Sequence, residues 1–166
     1  MEEHEQHLRK VLTHLRENCL TMNLEKCVLA QPTVTFLGHT VDSKGIRPLP
    51  EKVSAIKQFL LLTSKLEVQR LLCMCYYYHR FLPCLAHIIR PLTDSLSKSK
   101  KEFTVTTEMI TAVNQVKDAI SKATLLVHTL CDTVLSITTD ASDTAIAGVL
   151  NQLHRGRLQP LFFFSR

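Results

Sequence analysis

Apolar residues recur at three- and four-residue steps near the start of the chain, at Leu8, Val11, Leu12 and Leu15. On a helix they share one face, and Glu2, Glu3 and Glu5 precede Arg9, Lys10 and Arg16 in the order the helix dipole favours. The pattern predicts a helix ending between Leu20 and Asn23. Two β-type runs follow, residues 26–31 and 33–41, separated by Pro32, and a turn at Asp42-Ser43-Lys44-Gly45 closes what reads as a hairpin. From Pro50 or Glu51 the period is helical again, with Val53, Ile56 and Phe59 inward. Ser64 with Glu67 has capping-box spacing and opens a longer helix toward Tyr78, which Pro83 stops. Residues 86–96 read as a short helix, and Ser97 to Lys101 as a polar loop. Thr106 or Thr107 caps a helix carrying Met109, Val113, Val116 and Ile120 on one side. After it the period becomes two, and residues 134–139, 145–152 and 158–164 read as strands, the last pair joined by a turn at 153–157 containing Gly156. There are no internal repeats.

Composition narrows the class of protein only slightly. At 166 residues and 45% hydrophobic, the chain has enough apolar material for a core and lacks the polar bias of a disordered segment. The formal charge of +5 favours polyanionic partners over acidic substrates. No apolar run reaches membrane-spanning length, and the acidic opening Met1-Glu2-Glu3-His4-Glu5 is unlike a secretory leader, so an intracellular location is expected. In a reducing compartment the six cysteines read as free thiols serving as small hydrophobes, with no CxxC pair to suggest zinc. His4, His7 and His14 lie on roughly one helix face, which reads as exposed polar surface.

The segment with most chemical content is Thr138-Thr139-Asp140-Ala141-Ser142, followed by Ala147-Gly148-Val149-Leu150. A carboxylate at the end of a strand, before a chain reversal, is well placed to hold Mg²⁺, and two-metal nucleases cluster such carboxylates. Taken alone, Asp140 reads more readily as an ordinary turn residue.

Three motifs place it in a larger frame. Phe36-Leu37-Gly38-His39, with Gly45-Ile46-Arg47-Pro48 and Glu51-Lys52-Val53, resembles the palm-to-thumb junction of gypsy-type LTR retrotransposon reverse transcriptases. Tyr77-Tyr78-His79-Arg80-Phe81-Leu82 with Arg90-Pro91-Leu92 resembles the thumb of the same Pol polyproteins. Thr139-Asp140-Ala141-Ser142, Gly148-Val149-Leu150 and Leu161 to Arg166 resemble the start of their RNase H-like domain. The motifs stand in the family's order and span nearly the whole chain.

The resemblance implies roles residue by residue. Phe36, Leu37 and Gly38 match the primer grip, a hairpin that presses the primer end toward the polymerase site, where glycine lets backbone approach the strand. Arg80 matches a position from which a side chain can reach phosphate, while Tyr77, Tyr78 and Phe81, an aromatic cluster at helical spacing, read more readily as core packing. Lys52, Lys57 and Lys65 are candidates for nonspecific electrostatic attraction. Asp140 matches the first catalytic, metal-binding carboxylate of RNase H, with Mg²⁺ as the ion of the intact family. The resemblance also shows what the chain lacks. No Asp-Asp pair exists, so the polymerase carboxylates are absent, and no Asp or Glu follows Asp143. The chain departs from the family at Cys73, Tyr76, Thr129 and Phe162, where Gly, Asn, Pro and Ala are usual, and at Phe59-Leu60, where Trp-Pro is usual. Small-to-large changes at packed positions cost about 1–3 kcal/mol each.

The expected fold is therefore α+β. Residues 1–46 would be the end of a palm (helix and hairpin), 47–97 a helical thumb, 98–130 a connection with a linker helix, and 131–166 a truncated RNase H-like antiparallel three-stranded sheet. Without covering helices, that sheet would expose Phe162, Phe163 and Phe164 and make the chain poorly soluble. The expected partners are an RNA–DNA hybrid or primer–template duplex and the rest of the Pol polyprotein, with no membrane. Three functions remain open: a polymerase/RNase H segment without catalysis of its own, a retroelement-derived nucleic-acid-binding module, and an unrelated cytosolic α+β domain.

Overall fold

The structure, a computed structural model, describes residues 2–59, 62–96 and 103–166. The polar loop expected at Ser97 to Lys101 lies outside these residues. The chain divides into two compact units, residues 1–31 and 32–166.

In the first unit the expected helix forms as α1, Glu2–Glu17, braced by a 2.7 Å ion pair between Glu5 and Arg9 one turn apart. It stops earlier than its apolar spacing predicts, because Cys19 adopts a left-handed φ of +55°. The strand expected at 26–31 does not form. The Asn23 side chain accepts the Glu25 amide and starts a 3₁₀ turn over Leu24–Lys26, and Ala30 at φ +53° then interrupts any extended run.

The second unit opens with a sheet of three strands where a hairpin was expected. Strands β1 (Thr33–Phe36), β2 (His39–Asp42) and β3 (Gly45–Pro48) form an antiparallel meander in the order β1-β2-β3. The run read as a single strand over 33–41 is broken by a two-residue turn at Leu37-Gly38, with φ of +43° and +69°. The second turn lies where the sequence puts it. The Asp42 carboxylate accepts the amides of Lys44 and Gly45 at 2.8 and 3.2 Å and pairs with Arg47 at 3.0 Å. The Lys44 amide is the main reason that its pKa falls below the ordinary value.

Helices α2 (Pro50–Lys57), α3 (Lys65–Tyr77), α4 (Leu85–Ser95) and α5 (Thr107–Ser121) follow. Pro50 occupies the first turn of α2, where no amide is needed. Ser64 accepts the Glu67 amide at the start of α3, and Thr106 does the same for Met109 in α5. The Glu67 carboxylate turns back to Thr63, accepting its amide at 2.5 Å and its hydroxyl at 2.7 Å. A single core joins all four helices: Ile56, Val68, Leu71, Leu72, Phe81, Leu85, Ile89, Leu92, Met109, Val116, Ile120 and Leu126 are buried together. Helix α5 packs along α4 and α2 within this core. Of the cysteines, Cys75 fits the reading as a small hydrophobe, and burial pushes its thiol up to about 12; Cys19, Cys73, Cys84 and Cys131 are exposed.

Strands β4 (Val134–Ala141), β5 (Ile146–His154) and β6 (Arg157–Ser165) form a second antiparallel sheet, order β4-β5-β6, with a bulge between Leu150 and Asn151. Residues 123–128 join the two sheets. Ile46 and Leu126 exchange backbone hydrogen bonds of 2.7 and 3.0 Å, and the Val127 amide donates to Pro160 O at 3.2 Å. The phenylalanines are less bare than expected, since Phe163 packs on the helical core and only Phe164 is exposed. Larger apolar exposure falls on β4, at Leu135 and Ile137. Among the described residues no helix is long and apolar enough to cross a membrane.

Candidate nucleic-acid interface

The turn at Leu37-Gly38 is built from an unusual residue choice. Two-residue hairpin turns with positive φ at both positions favour Asn or Gly first, and holding leucine there costs about 1–2 kcal/mol. The bulky side chain is left outside: Phe36 is 62% and Leu37 67% exposed. The backbone beneath is tied down. The Tyr77 hydroxyl donates to Leu37 O, the Tyr78 hydroxyl to Gly38 O at 3.2 Å, and the Leu49 amide to Gly38 O at 2.9 Å. A Cβ on Gly38 would lie 3.1 Å from the Tyr78 hydroxyl oxygen, closer than an ordinary contact, so a side chain there would press that hydroxyl aside by a few tenths of an ångström and be strained at this φ.

His39, next along, lies in a cluster of rings. It stacks on Tyr77 with centroids 5.5 Å apart and meets Tyr78 and Phe81 at 5.6 and 5.3 Å. Tyr77 and Tyr78 are themselves edge-to-face at 4.9 Å. Burial raises the Tyr78 pKa, and the neighbouring Tyr77 adds to the shift, so the Tyr78 hydroxyl remains a donor at neutral pH. A groove beside the turn is lined by Gly38, Lys52, Ile56, Cys73, Tyr77 and Tyr78.

Arg80 is brought into the same cluster by a 3₁₀ turn at His79–Phe81, but in a constrained pose. Its guanidinium lies over the Phe81 ring at 5.0 Å, and its Nε is buried without a hydrogen-bond partner among the described residues, as is His39 Nε2. The sequence marks Arg80 as a phosphate ligand and says nothing of this stacking. It likewise marks Tyr77 and Tyr78 as packing residues, and their reach to the turn carbonyls forty positions earlier has no local signal.

Asp140 stands apart from that cluster, on β4. Cross-strand pairing puts Asp140, Ala147 and Ser165 on the same face as Thr138, Val149 and Phe163, the side that meets the helices. There the Ala86 amide donates to Ser165 Oγ at 3.0 Å. A shallow cleft is lined by Pro83, Cys84, Thr138, Asp140, Ala147 and Phe163. Asp140 is exposed, and among the described residues no three His, Cys, Asp or Glu side chains gather as a metal would require. Asp143 lies in the following turn, whose hydrogen bonds are made by Ser142 with Thr144 and Ala145. One carboxylate flanked by hydroxyls and apolar side chains does not fit a two-ion centre.

Comparison with known proteins gives a consistent result. Residues 105–166 match the RNase H-like domain found in reverse transcriptase. Over 98% of its length the chain is 34% identical to the retrovirus-related Pol polyprotein from transposon opus of Drosophila melanogaster, and over 99% it is 34% identical to that from transposon 297. The Tf2-3 polyprotein of Schizosaccharomyces pombe is 28% identical over 98% of the chain. The chain spans 17%, 15% and 12% of these relatives. In fold it is similar to the foamy viral protease-reverse transcriptase in complex with double-stranded DNA (TM-score 0.79, 24% identity), matching 99% of this chain and 34% of that one. The same viral protein in complex with an RNA/DNA hybrid gives a TM-score of 0.78 at 24% identity over 100% of this chain and 22% of that one.

Proposed function

Because the chain is homologous to the retrovirus-related Pol polyproteins of gypsy-type LTR transposons, corresponding to their reverse transcriptase/RNase H region, we propose that it grips a primer–template duplex or RNA–DNA hybrid without performing the chemistry itself. The observation that carries this reading is the Leu37-Gly38 turn, which presents two bare apolar side chains on a backbone fixed from behind. An element shaped in this way suits contact with the sugars and bases at a strand end more than a purely ionic contact. Phe36, Leu37 and Gly38 would touch the strand, and Lys52 beside the groove would add attraction for phosphate. Arg80, stacked on Phe81, would reach phosphate only through its outer nitrogens.

In the same reading residues 1–46, 47–97, 98–130 and 131–166 correspond to palm end, thumb, connection and the start of an RNase H-like domain. The continuous core shared by α2 to α5 would make the middle two act as one body. The solved structures of similar fold, which hold double-stranded DNA and RNA/DNA hybrid, support a duplex as the ligand class. Mg²⁺ would supply nucleophile activation and leaving-group stabilisation in a full site, but Asp140 as it stands does not fit that arrangement. The remainder of a Pol polyprotein is the natural protein partner, and an intracellular location follows from that setting.

The test is a salt titration of binding to a primer–template duplex and to an RNA–DNA hybrid. Affinity should fall steeply as salt rises, with a log–log slope reporting the phosphates neutralised. Absence of binding to either at low salt would remove the proposal.

A further inference from the structure

Two hairpin turns of the same class occur in this chain and differ in how they are held. Arg155-Gly156, between β5 and β6, takes φ of +51° and +73°, and among the described residues no side chain donates to either of its carbonyls, nor does anything lie within 4 Å of where a Gly156 Cβ would stand. Leu37-Gly38 takes φ of +43° and +69°, yet both its carbonyls accept tyrosine hydroxyls from the end of α3. A turn needs no such fastening to close, as the Arg155 turn demonstrates. The fastening at Leu37-Gly38 therefore calls for another explanation.

We infer that Tyr77 and Tyr78 are positioning residues, whose hydroxyls lock the Leu37-Gly38 turn in the left-handed shape in which it meets nucleic acid. The geometry forms a closed circuit. The tyrosine hydroxyls fix the turn's carbonyls, and the residue that follows, His39, fixes the tyrosines by stacking on one and meeting the edge of the other. The helix end and the turn thus move as one piece. Leucine left free in this position would relax toward right-handed or extended backbone and swing its side chain with it. Fixing the main chain turns a strained residue into a preorganised contact, which removes an ordering cost when a ligand binds. The two roles divide between adjacent residues: Tyr78 is 4% exposed and also part of the core, while Tyr77 is 50% exposed and contributes to the lock without belonging to that core.

The inference rests on the reading that the turn touches duplex, and the experiment separates the two. Tyr77→Phe, Tyr78→Phe and the double variant remove only the hydroxyls and keep every ring contact. Tyr76→Phe, an exposed neighbour, is the control. Amide hydrogen exchange over residues 36–39, thermal melting, and affinity for a primer–template duplex at two or more salt concentrations are measured on the full chain. In the double variant exchange at the turn should quicken while the melting temperature barely moves. Affinity should fall by roughly three- to tenfold, with the salt slope unchanged because no phosphate contact is lost. A residue with only a structural role would shift melting and leave affinity below the transition untouched. Unchanged exchange at residues 36–39 would overturn the lock. Faster exchange with unchanged affinity would uphold the lock and overturn the assignment of the turn to nucleic acid. Should the double variant fail to fold, Tyr77→Phe alone decides, since its half-exposed ring lies outside the buried cluster.

Discussion

At Gly45 the backbone takes φ +148°, and a Cβ there would stand 2.1 Å from the Leu126 carbonyl oxygen. That carbonyl is also the acceptor for the Ile46 amide, the bond through which β3 is joined to residues 123–128. Any side chain must therefore push two main chains apart where they exchange hydrogen bonds, and backbone cannot give way as a flexible side chain would. Gly45→Ala should destabilise the fold by about 2–4 kcal/mol, from a strained φ together with overpacking, measured as a shift in the denaturant midpoint. A change of only a few tenths of a kcal/mol would mean that the bridge between β3 and Leu126 is not held. The sequence marks Gly45 as a turn residue, which it is. The reason it cannot be replaced is a contact with a residue some eighty positions away, and no local pattern contains that.

Among the elements, helices were the most legible, and their caps explain why. Ser64 and Thr106 each carry a side-chain acceptor ahead of an apolar period, and each caps the expected amide. The second sheet was legible too, because β-branched and aromatic runs alternate with a Gly156 turn. The first sheet is hidden at Leu37-Gly38, since leucine at the first turn position masks a reversal that Asn would advertise. Residues 26–31 have the apolar content of a strand, but Asn23 and Ala30 take the chain out of extension in ways that apolar content does not report. The α3 cap makes its own prediction. The amide and hydroxyl of Thr63 bind the Glu67 carboxylate and, in that order, lower its pKa below its ordinary 4.5. A carboxylate with a depressed folded pKa contributes stability that is complete above the unfolded value and is lost as pH falls through the folded one. Stability should therefore stay level from neutrality to about 4.5 and decline at more acid pH, with Asp42 adding to the decline below its own ordinary 3.8. Glu67→Gln should lower stability at neutral pH and flatten that acid limb in pH-dependent melts. An acid limb of unchanged slope in the variant would show that the Thr63 contacts contribute nothing to it.

For the molecule as a whole the question is what this fold can do with the acidic groups this chain contains. The parts of the proposed grip at the Leu37-Gly38 turn all come from residues 36–80: exposed side chains, fastened backbone and a mostly apolar groove with Lys52 in its lining. Asp140 lacks such company. It pairs with Ala147 on the helix-facing side of its sheet, and no second carboxylate shares that face among the described residues. Phosphodiester hydrolysis by two metal ions needs ligands on both ions, and a lone exposed carboxylate holds a hydrated Mg²⁺ only weakly. A cation bound by several native ligands would raise the melting temperature in proportion to the logarithm of its concentration. Adding Mg²⁺ should therefore leave melting unchanged, and the chain should not cleave a labelled RNA–DNA hybrid above the level of an Asp140→Asn variant. Cleavage that requires Asp140, or a melting temperature that climbs with Mg²⁺ in the parent and not in the variant, would mean that ligands reach Asp140 from elsewhere in the chain. Duplex binding that persists alongside absent cleavage would place the gripping of nucleic acid and its chemistry on separate residues, and the proposal assigns only the first of these to the turn and the end of α3.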